Sequence, residues 1–160
     1  NKILNDVVIT KIEEKVNHEV NDVFKAIFDI NQYNNIIKNK NISSYLVSTN
    51  DDTIYVYQKV TNMIPFVRDR QYVFKMYKVG KNKINWYILK KTHPLVKNYL
   101  DDDVNTLIYG AGSWEMLDKN ILVNKIYVDD EVNMPLRLVE RIRIKSVVNI
   151  FDDILNFLDK

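Results

Sequence analysis

The sequence contains no cysteine, and it has only three glycines, three prolines and two histidines among 160 residues. Without cysteine the chain can form neither a disulfide framework nor a thiolate metal site, and cysteine usage cannot indicate its redox compartment. No stretch reaches the roughly 18 consecutive apolar residues that a membrane-spanning helix needs. Both the cytoplasm and an exported location fit. Because the chain begins with Asn1 instead of methionine, we expect that an upstream segment was removed.

The sequence also lacks an excess of charge of either sign. The net charge is +2, with charged residues at 28% and hydrophobic residues at 46%. The lysines are dispersed among carboxylates, which argues against a nucleic-acid partner, and the composition excludes a disordered chain. A chain of this length can bury about 70% of its unfolded surface. We therefore expect one soluble domain over 1–160, acting as a monomer.

Hydrophobic periodicity divides the chain into seven strands and three helices. After a first strand, apolar residues at helical spacing predict a short helix from Asn21 to Ile30 and a second turn of helix over Tyr33–Ile37. Short polar turns separate most of the other strands, as antiparallel hairpins require. Gly110 and Gly112 lie inside the sixth strand, where glycine marks a bulge or sharp bend, so we expect a strongly curved sheet. The predicted strands are Val7–Lys15, Ile42–Thr49, Thr53–Asn62, Arg70–Val79, Lys83–Lys90, Thr106–Leu117 and Ile121–Asp129.

The last segment, Asn133–Leu158, predicts one long helix with Pro135 in its first turn, where a missing N–H group costs nothing. Steps of 100° per residue place apolar residues on one face, which must meet the sheet, and mostly charged residues on the other. The first face holds Leu136, Val139, Ser146, Val147, Ile150, Ile154 and Phe157, and the second holds Arg137, Arg141, Lys145, Asp152 and Asn156.

Three segments resemble motifs of one protein superfamily. Pro65–Val73 is similar to the segment of START (StAR-related lipid-transfer) domains in which a proline-aromatic loop leads into an Arg-Asp pair that opens a strand, although Gln71 replaces the aspartate. Gly110–Trp114 resembles their sixth strand. Asp129–Val139 resembles the Asp-x-x-Gly-x-x-Pro-x-x-Leu-Val approach to their last helix, without its glycine. The order of elements resembles the helix-grip fold of this polyketide cyclase-like (SRPBCC) superfamily.

The resemblance implies an α+β helix-grip fold, in which a curved seven-stranded antiparallel sheet wraps around the long C-terminal helix and two short helices follow strand one. It also implies a cavity that binds, and in START domains transfers, a lipid or sterol-like apolar ligand, with transient contact to a membrane surface. We expect no cofactor and no metal. The residues expected to bind the ligand are Arg70, Tyr72, Phe74, Met76, Trp86, Trp114, Val139, Arg143, Ser146, Val147 and Ile150.

Strand alternation adds detail to this expectation. Side chains two residues apart share one face of a strand, and this places one aromatic and methionine set on the fourth strand and a similar set on the fifth. Such linings suit apolar ligands of variable shape, but the same residues could also fill a solid core. The two sets are Arg70, Tyr72, Phe74 and Met76, and Ile84, Trp86 and Ile88.

Arg143 lies near the middle of the apolar face of the last helix, between Val139 and Val147. An unpaired charge buried there would cost several kcal/mol, so we expect it to have a partner inside the protein. That partner is either an anionic group of the ligand or a strand carboxylate such as Glu115.

The connection from Lys91 to Asn105 is long for a hairpin, and long connections are often lids. Its apolar residues stand among lysines and an aspartate triplet that lacks the spaced oxygen ligands of a calcium loop. They fit either a lid that touches a membrane during ligand transfer or a lid packed on its own protein. These apolar residues are Leu95, Val96, Tyr99 and Leu100.

Signals for an enzyme are weak in this sequence. His18 and His93 have no metal-ligand spacing, and no nucleophile elbow or phosphate-binding loop occurs. We therefore expect a protein that is not an enzyme. Two alternatives remain open: a cyclase or aromatase on the same fold, whose pocket side chains would orient a substrate, and a co-chaperone-like interaction module, which would need an exposed apolar patch.

Overall fold

The computed structural model describes residues 8–61, 68–118, 120–129 and 136–160, without the side chains of Leu136 and Val139. Within these ranges the chain forms eight strands and four helices. In chain order they are β1 Thr10–Lys15, α1 Val20–Phe28, α2 Ile30–Ile36, β2 Ile42–Asn50, β3 Thr53–Val60, β4 Arg70–Val79, β5 Lys83–Ile88, α3 Pro94–Lys97, β6 Asn105–Thr106, β7 Gly110–Leu117, β8 Ile121–Val128 and α4 Leu136–Leu158.

The strands form one curved, open sheet with the order β1-β8-β7-β5-β4-β3-β2, and neighbours on this path are antiparallel. This architecture confirms the predicted helix-grip fold. One strand differs from the prediction. The expected sixth strand is divided into β6, which pairs with β4 in parallel, and β7. The chain leaves the sheet between them at Leu107, whose side chain is buried in the main core.

Several boundaries also differ from the predicted ones. Ile30 opens α2 instead of ending α1, because the backbone of Asp29 leaves the helical region at φ −80° and ψ 76°. The one-turn helix α3 was not predicted, and β5 ends at Ile88. The predicted helix start at Asn133–Pro135 and the motif residues Pro65–Val67 lie outside the described residues.

Three residues at strand reversals have positive φ angles. They are Asp51 at 42°, Gly80 at 65° and Asn120 at 59°. This left-handed region is open to glycine and tolerated best, among other residues, by asparagine and aspartate. The polar turns recognised in the sequence are therefore the positions where the chain can reverse without a large steric cost.

Gly112 is needed for close packing and not for a bulge. The pairing of β7 runs without a register shift through Gly112 on both sides and through Gly110 on the β8 side. Of the predicted bulge or sharp bend, the bulge is therefore not found at these glycines, whereas the predicted curvature of the sheet is confirmed. A Cβ atom at Gly112 would lie 2.6 Å from Nε1 of Trp86, which shows that the indole ring packs directly on this glycine. The described register shift lies in β2, between Leu46 and Ser48.

Helix α4 packs on one face of the sheet, called here the helix face. Its buried stripe consists of Val147, Phe151 and Ile154. Phe151 and Ile154 join the main core with residues of α1 and α2. The prediction for Phe157 is wrong, because its side chain is 39% exposed. A stripe spaced by four and then three residues continues to Leu158, which packs against the same core.

The opposite, outer face of the sheet carries a second, smaller cluster. Alternation along β4 places Phe74 in the main core and Val73 in the smaller one, where it packs with Leu89 and Val96. Within the described ranges, no helix has the length and hydropathy to cross a membrane.

Candidate ligand-binding cavity

A cavity of about 90 Å³ lies between the helix face of the sheet and α4. Strands β3, β4, β5, β7 and β8 supply most of its walls, α2 supplies one residue and α4 supplies two. Its lining consists of Tyr33, Gln58, Tyr72, Phe74, Met76, Trp86, Trp114, Asn124, Ile126, Val147 and Ile150.

Aromatic rings form much of the wall. The Phe74 and Trp86 rings meet edge to face with centroids 5.8 Å apart, and Tyr72 lies 6.0 Å from Phe74. Trp114 stacks on Phe151 of α4 with centroids 5.7 Å apart and an angle of 18° between the planes. These ring pairs fix the shape of the wall, because each ring restricts the rotamer of its neighbour.

The polar groups of the cavity are uncharged. The Tyr72 hydroxyl donates a hydrogen bond to Oε1 of Gln58, whose Nε2 donates to Oγ of Ser44 at 2.8 Å. Nδ2 of Asn124 donates to the carbonyl of Ser113 at 3.3 Å. Burial raises the pKa of the Tyr33 hydroxyl to about 12. The described lining therefore offers hydrogen-bonding groups but no Asp, Glu, Lys, Arg or His side chain.

The cavity is smaller than the sequence led us to expect. Sites for drug-sized molecules measure about 300–1,000 Å³, whereas the described cavity has about 90 Å³. Bulky side chains fill the difference, notably the two tryptophans, which are the only ones in the chain. A lipid-sized ligand would require α4 or these rings to move.

The predicted ligand-binding residues divide into three groups. Tyr72, Phe74, Met76, Trp86, Trp114, Val147 and Ile150 line the cavity. The side chain of Val139 is not described. Arg70, Arg143 and Ser146 are half-buried and are not among the described residues that line the cavity.

Arg143 binds backbone carbonyl groups. Its Nη2 donates to the carbonyl of Val128 at 3.0 Å, and its Nη1 donates to that of Val8 at 3.4 Å. Glu115, the example named for a carboxylate partner, has its Oε2 3.5 Å from Nζ of Lys83 on the adjacent strand, and an ion pair of Arg143 with a strand carboxylate remains a prediction. Arg143 thus ties α4 to the end of β8 and to the segment before β1, and its role as a ligand anchor remains a prediction.

The Lys91–Asn105 connection covers the outer face of the sheet. Val96 is 1% exposed and packs on Val73 and Leu89, and Leu100 joins the same cluster. The prediction of a lid over the cavity is wrong for this segment, because β4 separates it from the helix face. Leu95 is half-buried and Tyr99 is 44% exposed, and their contact with a membrane remains a prediction.

Four residues that line the cavity, and Phe151, which stacks on Trp114, were not predicted from the sequence. Gln58 lies two residues after Val56 on β3, and Asn124 and Ile126 continue the alternation of Leu122 on β8. Period-two alternation could have found these three once both strands were assigned to the helix face. Tyr33 and Phe151 had no comparable signal, because their positions depend on how α2 and α4 lie across the sheet.

The two histidines lie away from the cavity lining. Nε2 of His18 lies 2.9 Å from Oδ1 of Asp159 near the end of α4. Nδ1 of His93 accepts the N–H of Leu95 at 3.3 Å and so caps α3. Both residues have structural partners, and neither lines the described cavity.

Neither the family models nor the curated protein sequences gave a match to this chain. Solved structures do share its architecture. It is similar to a STAR-related lipid transfer protein from Xanthomonas axonopodis, with a TM-score of 0.76 and 16% identity over 95% of this chain and 86% of that one.

Two further structures show the same likeness. The Zhui aromatase/cyclase from Streptomyces sp. R1128 has a TM-score of 0.69 and 12% identity, over 96% of this chain and 94% of that one. Human StAR-related lipid transfer protein 5 has a TM-score of 0.64 and 12% identity, over 95% and 77%. Their identities are low, so the likeness concerns the fold. The chain therefore has the helix-grip fold that START domains and aromatase/cyclases share.

Proposed function

We propose that this domain binds a lipid-like or other mainly apolar small molecule in the cavity between the sheet and α4, and transfers it. The observation that carries the proposal is the cavity itself, whose lining combines aromatic, aliphatic and methionine side chains with a few uncharged polar groups. Binding sites for small molecules typically have this composition. Two structures of the same fold are named as lipid transfer proteins, which supports the same class of ligand.

The packing of α4 supports a way to enlarge the cavity. From Arg137 to Ser146 no described side chain is buried, whereas Val147, Phe151 and Ile154 are buried in the second half. Segments with few buried apolar contacts open at a lower free energy than the core does. An outward movement of the first half of α4 would therefore widen the cavity while the second half stays attached.

A cyclase or aromatase function has less support. A structure of the same fold is named as an aromatase/cyclase, but the described cavity lining contains no His, Asp, Glu, Lys or Arg side chain to transfer a proton at neutral pH. An interaction module is also less well supported, because it needs no internal cavity.

The direct test is native mass spectrometry of the purified protein, followed by extraction and identification of any bound molecule. The variant Ile150→Phe would add bulk at the cavity wall, and Ile144→Phe would add the same bulk on an exposed part of the same helix, where Ile144 is 50% exposed. We expect Ile150→Phe to reduce ligand occupancy at least about tenfold, an energy difference of about 1.4 kcal/mol, and Ile144→Phe to leave it unchanged. Equal occupancy in the two variants, at equal melting temperatures, would move the ligand site away from this cavity. Recovery of a chemically altered ligand would instead favour the enzyme.

A further inference from the structure

The polar groups of the cavity allow the proposed ligand class to be narrowed. Tyr33 is 7% exposed and lines the cavity, and no described residue forms a hydrogen bond with its hydroxyl. The hydroxyl oxygen remains accessible to a water molecule, so a ligand atom can form a hydrogen bond with it in place of water.

Asn124 offers the complementary group. It is 4% exposed, and its Nδ2 is engaged by the carbonyl of Ser113. Its amide oxygen accepts no hydrogen bond from the described residues. A phenolic hydroxyl can donate or accept, whereas an amide oxygen only accepts. A ligand hydroxyl, which both donates and accepts, can form a hydrogen bond with either group, whereas a carbonyl or an ether oxygen cannot bond to the amide oxygen.

The lining also disfavours ligand charge. No described lining residue carries a cationic side chain, so a carboxylate or phosphate would lose its hydration without gaining an ion pair. The desolvation that raises the pKa of Tyr33 to about 12 acts in the same direction, because it disfavours any anion at this position. The amide group of Gln58 does not compensate for the missing cation, because it already forms hydrogen bonds with Tyr72 and Ser44.

We propose that the cavity selects uncharged apolar ligands carrying a hydroxyl group, which Tyr33 and Asn124 bind, and rejects carboxylates of the same carbon skeleton. This inference rests on the proposed function, since it specifies the ligand of the same cavity.

The fluorescence of the protein provides a direct readout. Both tryptophans of the chain, Trp86 and Trp114, line the cavity, so a ligand that enters it changes the indole environment. The three probes are hexanol, hexane and hexanoate at neutral pH, which share one chain length and differ in the terminal group. We expect hexanol to bind about fivefold more tightly than hexane, as one hydrogen bond provides. Hexanoate should bind at least about 100-fold more weakly than hexanol, because its charge is desolvated without a partner.

The variant Tyr33→Phe removes the hydroxyl and keeps the ring. It should lower the affinity for hexanol to within about twofold of that for hexane and leave hexane binding unchanged, which also shows that the cavity is intact. The matched control is Tyr45→Phe, which removes a phenolic hydroxyl on a ring that is 56% exposed and should change neither affinity.

The outcomes separate this inference from the proposal on which it rests. If none of the three probes changes the fluorescence of the wild-type protein, the proposed binding function fails, and this inference fails with it. If hexane binds as tightly as hexanol, or hexanoate binds equally well, the cavity binds apolar molecules but the hydroxyl selectivity is wrong. The wild-type comparison decides this even if Tyr33→Phe does not fold.

Discussion

Gln71 and Asp101 form hydrogen bonds with each other in both directions. Oε1 of Gln71 accepts the N–H of Asp101 at 3.0 Å, and Nε2 of Gln71 donates to the carbonyl of the same residue. The same Nε2 also lies 3.2 Å from the carbonyl oxygen of Val104 and from Oγ1 of Thr106, so its two hydrogens are shared among three acceptors, and Oε1 also accepts the hydroxyl of Tyr57 at 3.1 Å. One buried side chain thus fixes the end of the connection on the outer face.

These hydrogen bonds explain why residue 71 is glutamine in this chain, whereas the segment of START domains that it resembles has aspartate. Gln71 is 0% exposed, and its carbonyl partners require a donor. A carboxylate can only accept when it is ionised. We expect Gln71→Glu, which keeps the size of the side chain, to lower the free energy of unfolding by about 3 kcal/mol or more at neutral pH, because it buries a charge beside two carbonyl oxygens. Chemical denaturation measures this loss, and Gln32→Glu, at an exposed glutamine, should cost little.

The loss of unfolding free energy in Gln71→Glu should depend on pH. Burial raises the pKa of a carboxyl group in the folded state above its unfolded value of about 4.3. Between the unfolded and the folded pKa values, the folded protein binds more protons than the unfolded chain. Stability therefore falls as the pH rises through this range and recovers towards acid. A difference from wild type that stays constant between pH 7 and pH 4 would contradict this explanation.

The side chain of Asn34 forms hydrogen bonds with the backbone of β2, which is an edge strand of the sheet. Oδ1 of Asn34 accepts the N–H of Ser44 at 3.1 Å, and Nδ2 donates to the carbonyl of Ser44 at 3.1 Å. Asn34→Ala should therefore lower the free energy of unfolding by about 1–3 kcal/mol, because both backbone groups lose their partners. It should also increase self-association at high concentration, since an open strand edge pairs with other chains.

Asn35→Ala is the matched control for this edge. It makes the same substitution on the same helix, at an exposed residue whose amide bonds only to Gln32 among the described residues. Light scattering after size-exclusion chromatography compares the two variants. If Asn34→Ala and Asn35→Ala have the same stability and the same mass, Asn34 does not protect the edge.

The phase of α4 can be tested with its two phenylalanines. Phe151 is 1% exposed and stacks on Trp114, whereas Phe157 is 39% exposed. Phe151→Ala should cost about 3–5 kcal/mol of stability, as for other buried phenylalanines, and Phe157→Ala no more than about 1 kcal/mol. Thermal and chemical unfolding measure both values. A larger loss at Phe157 would restore the helix phase inferred from the sequence.

Asp153 is a buried carboxylate with a backbone partner. Its side chain is 9% exposed, and Oδ2 accepts the N–H of Lys38 at 2.8 Å. The Lys38 ammonium group contributes less, because it lies 3.6 Å from Oδ1 and the lysine side chain is 70% exposed. We expect Asp153→Ala to lower the free energy of unfolding by about 1–3 kcal/mol, and Asp152→Ala, at the exposed neighbour, to have little effect. If Lys38→Ala lowered the free energy of unfolding as much as Asp153→Ala, the ion pair would contribute more than the hydrogen bond to the backbone N–H.

The raised pKa of Tyr33 predicts a loss of stability in alkali. The unfolded chain releases this proton near pH 10, and the folded protein retains it to about 12. Above pH 10 the folded state binds the extra proton, so stability falls as the pH rises further. Denaturation of wild type and Tyr33→Phe between pH 9 and pH 12 should show a decline that is up to about 3 kcal/mol larger in wild type. The variant should also decline, because burial raises the pKa of Tyr57 and of Tyr127 in both proteins. Parallel curves would mean that the hydroxyl is solvated.

Local patterns were sufficient to predict most of the order of strands and helices, and the resemblance of that order to START domains supplied the helix-grip fold. The strands and turns follow from alternation and from polar residues at positions such as Asp51 and Asn120, which are local properties of the chain. The long terminal helix follows from its apolar stripe. The rotation of the helix about its axis could not be predicted exactly, because a stripe spaced by three and four residues fits several adjacent rotations. Packing on the sheet decides among them, and it buries Phe151 and leaves Phe157 exposed.

The candidate site was predictable where it follows strand alternation or the apolar face of α4, which supplies Val147 and Ile150. Tyr72, Phe74 and Met76 lie together because one strand carries them at period two. The connection over the outer face was misassigned, since its sequence shows apolar residues but not which side of the sheet they cover. The role of Gln71, which decides that side, depends on carbonyl groups thirty or more residues away.

The position of β1 in the sheet determines when the fold can be completed during synthesis. Thr10 pairs with Ile126, and β1 has no other neighbour in the order of the described strands. The ribosome makes β1 before any other strand of the sheet, yet its partner β8 is the last strand to leave the exit tunnel. Such distant pairing is slow, because the chain must close a long loop first. The growing chain therefore carries an unpaired strand edge for most of its translation.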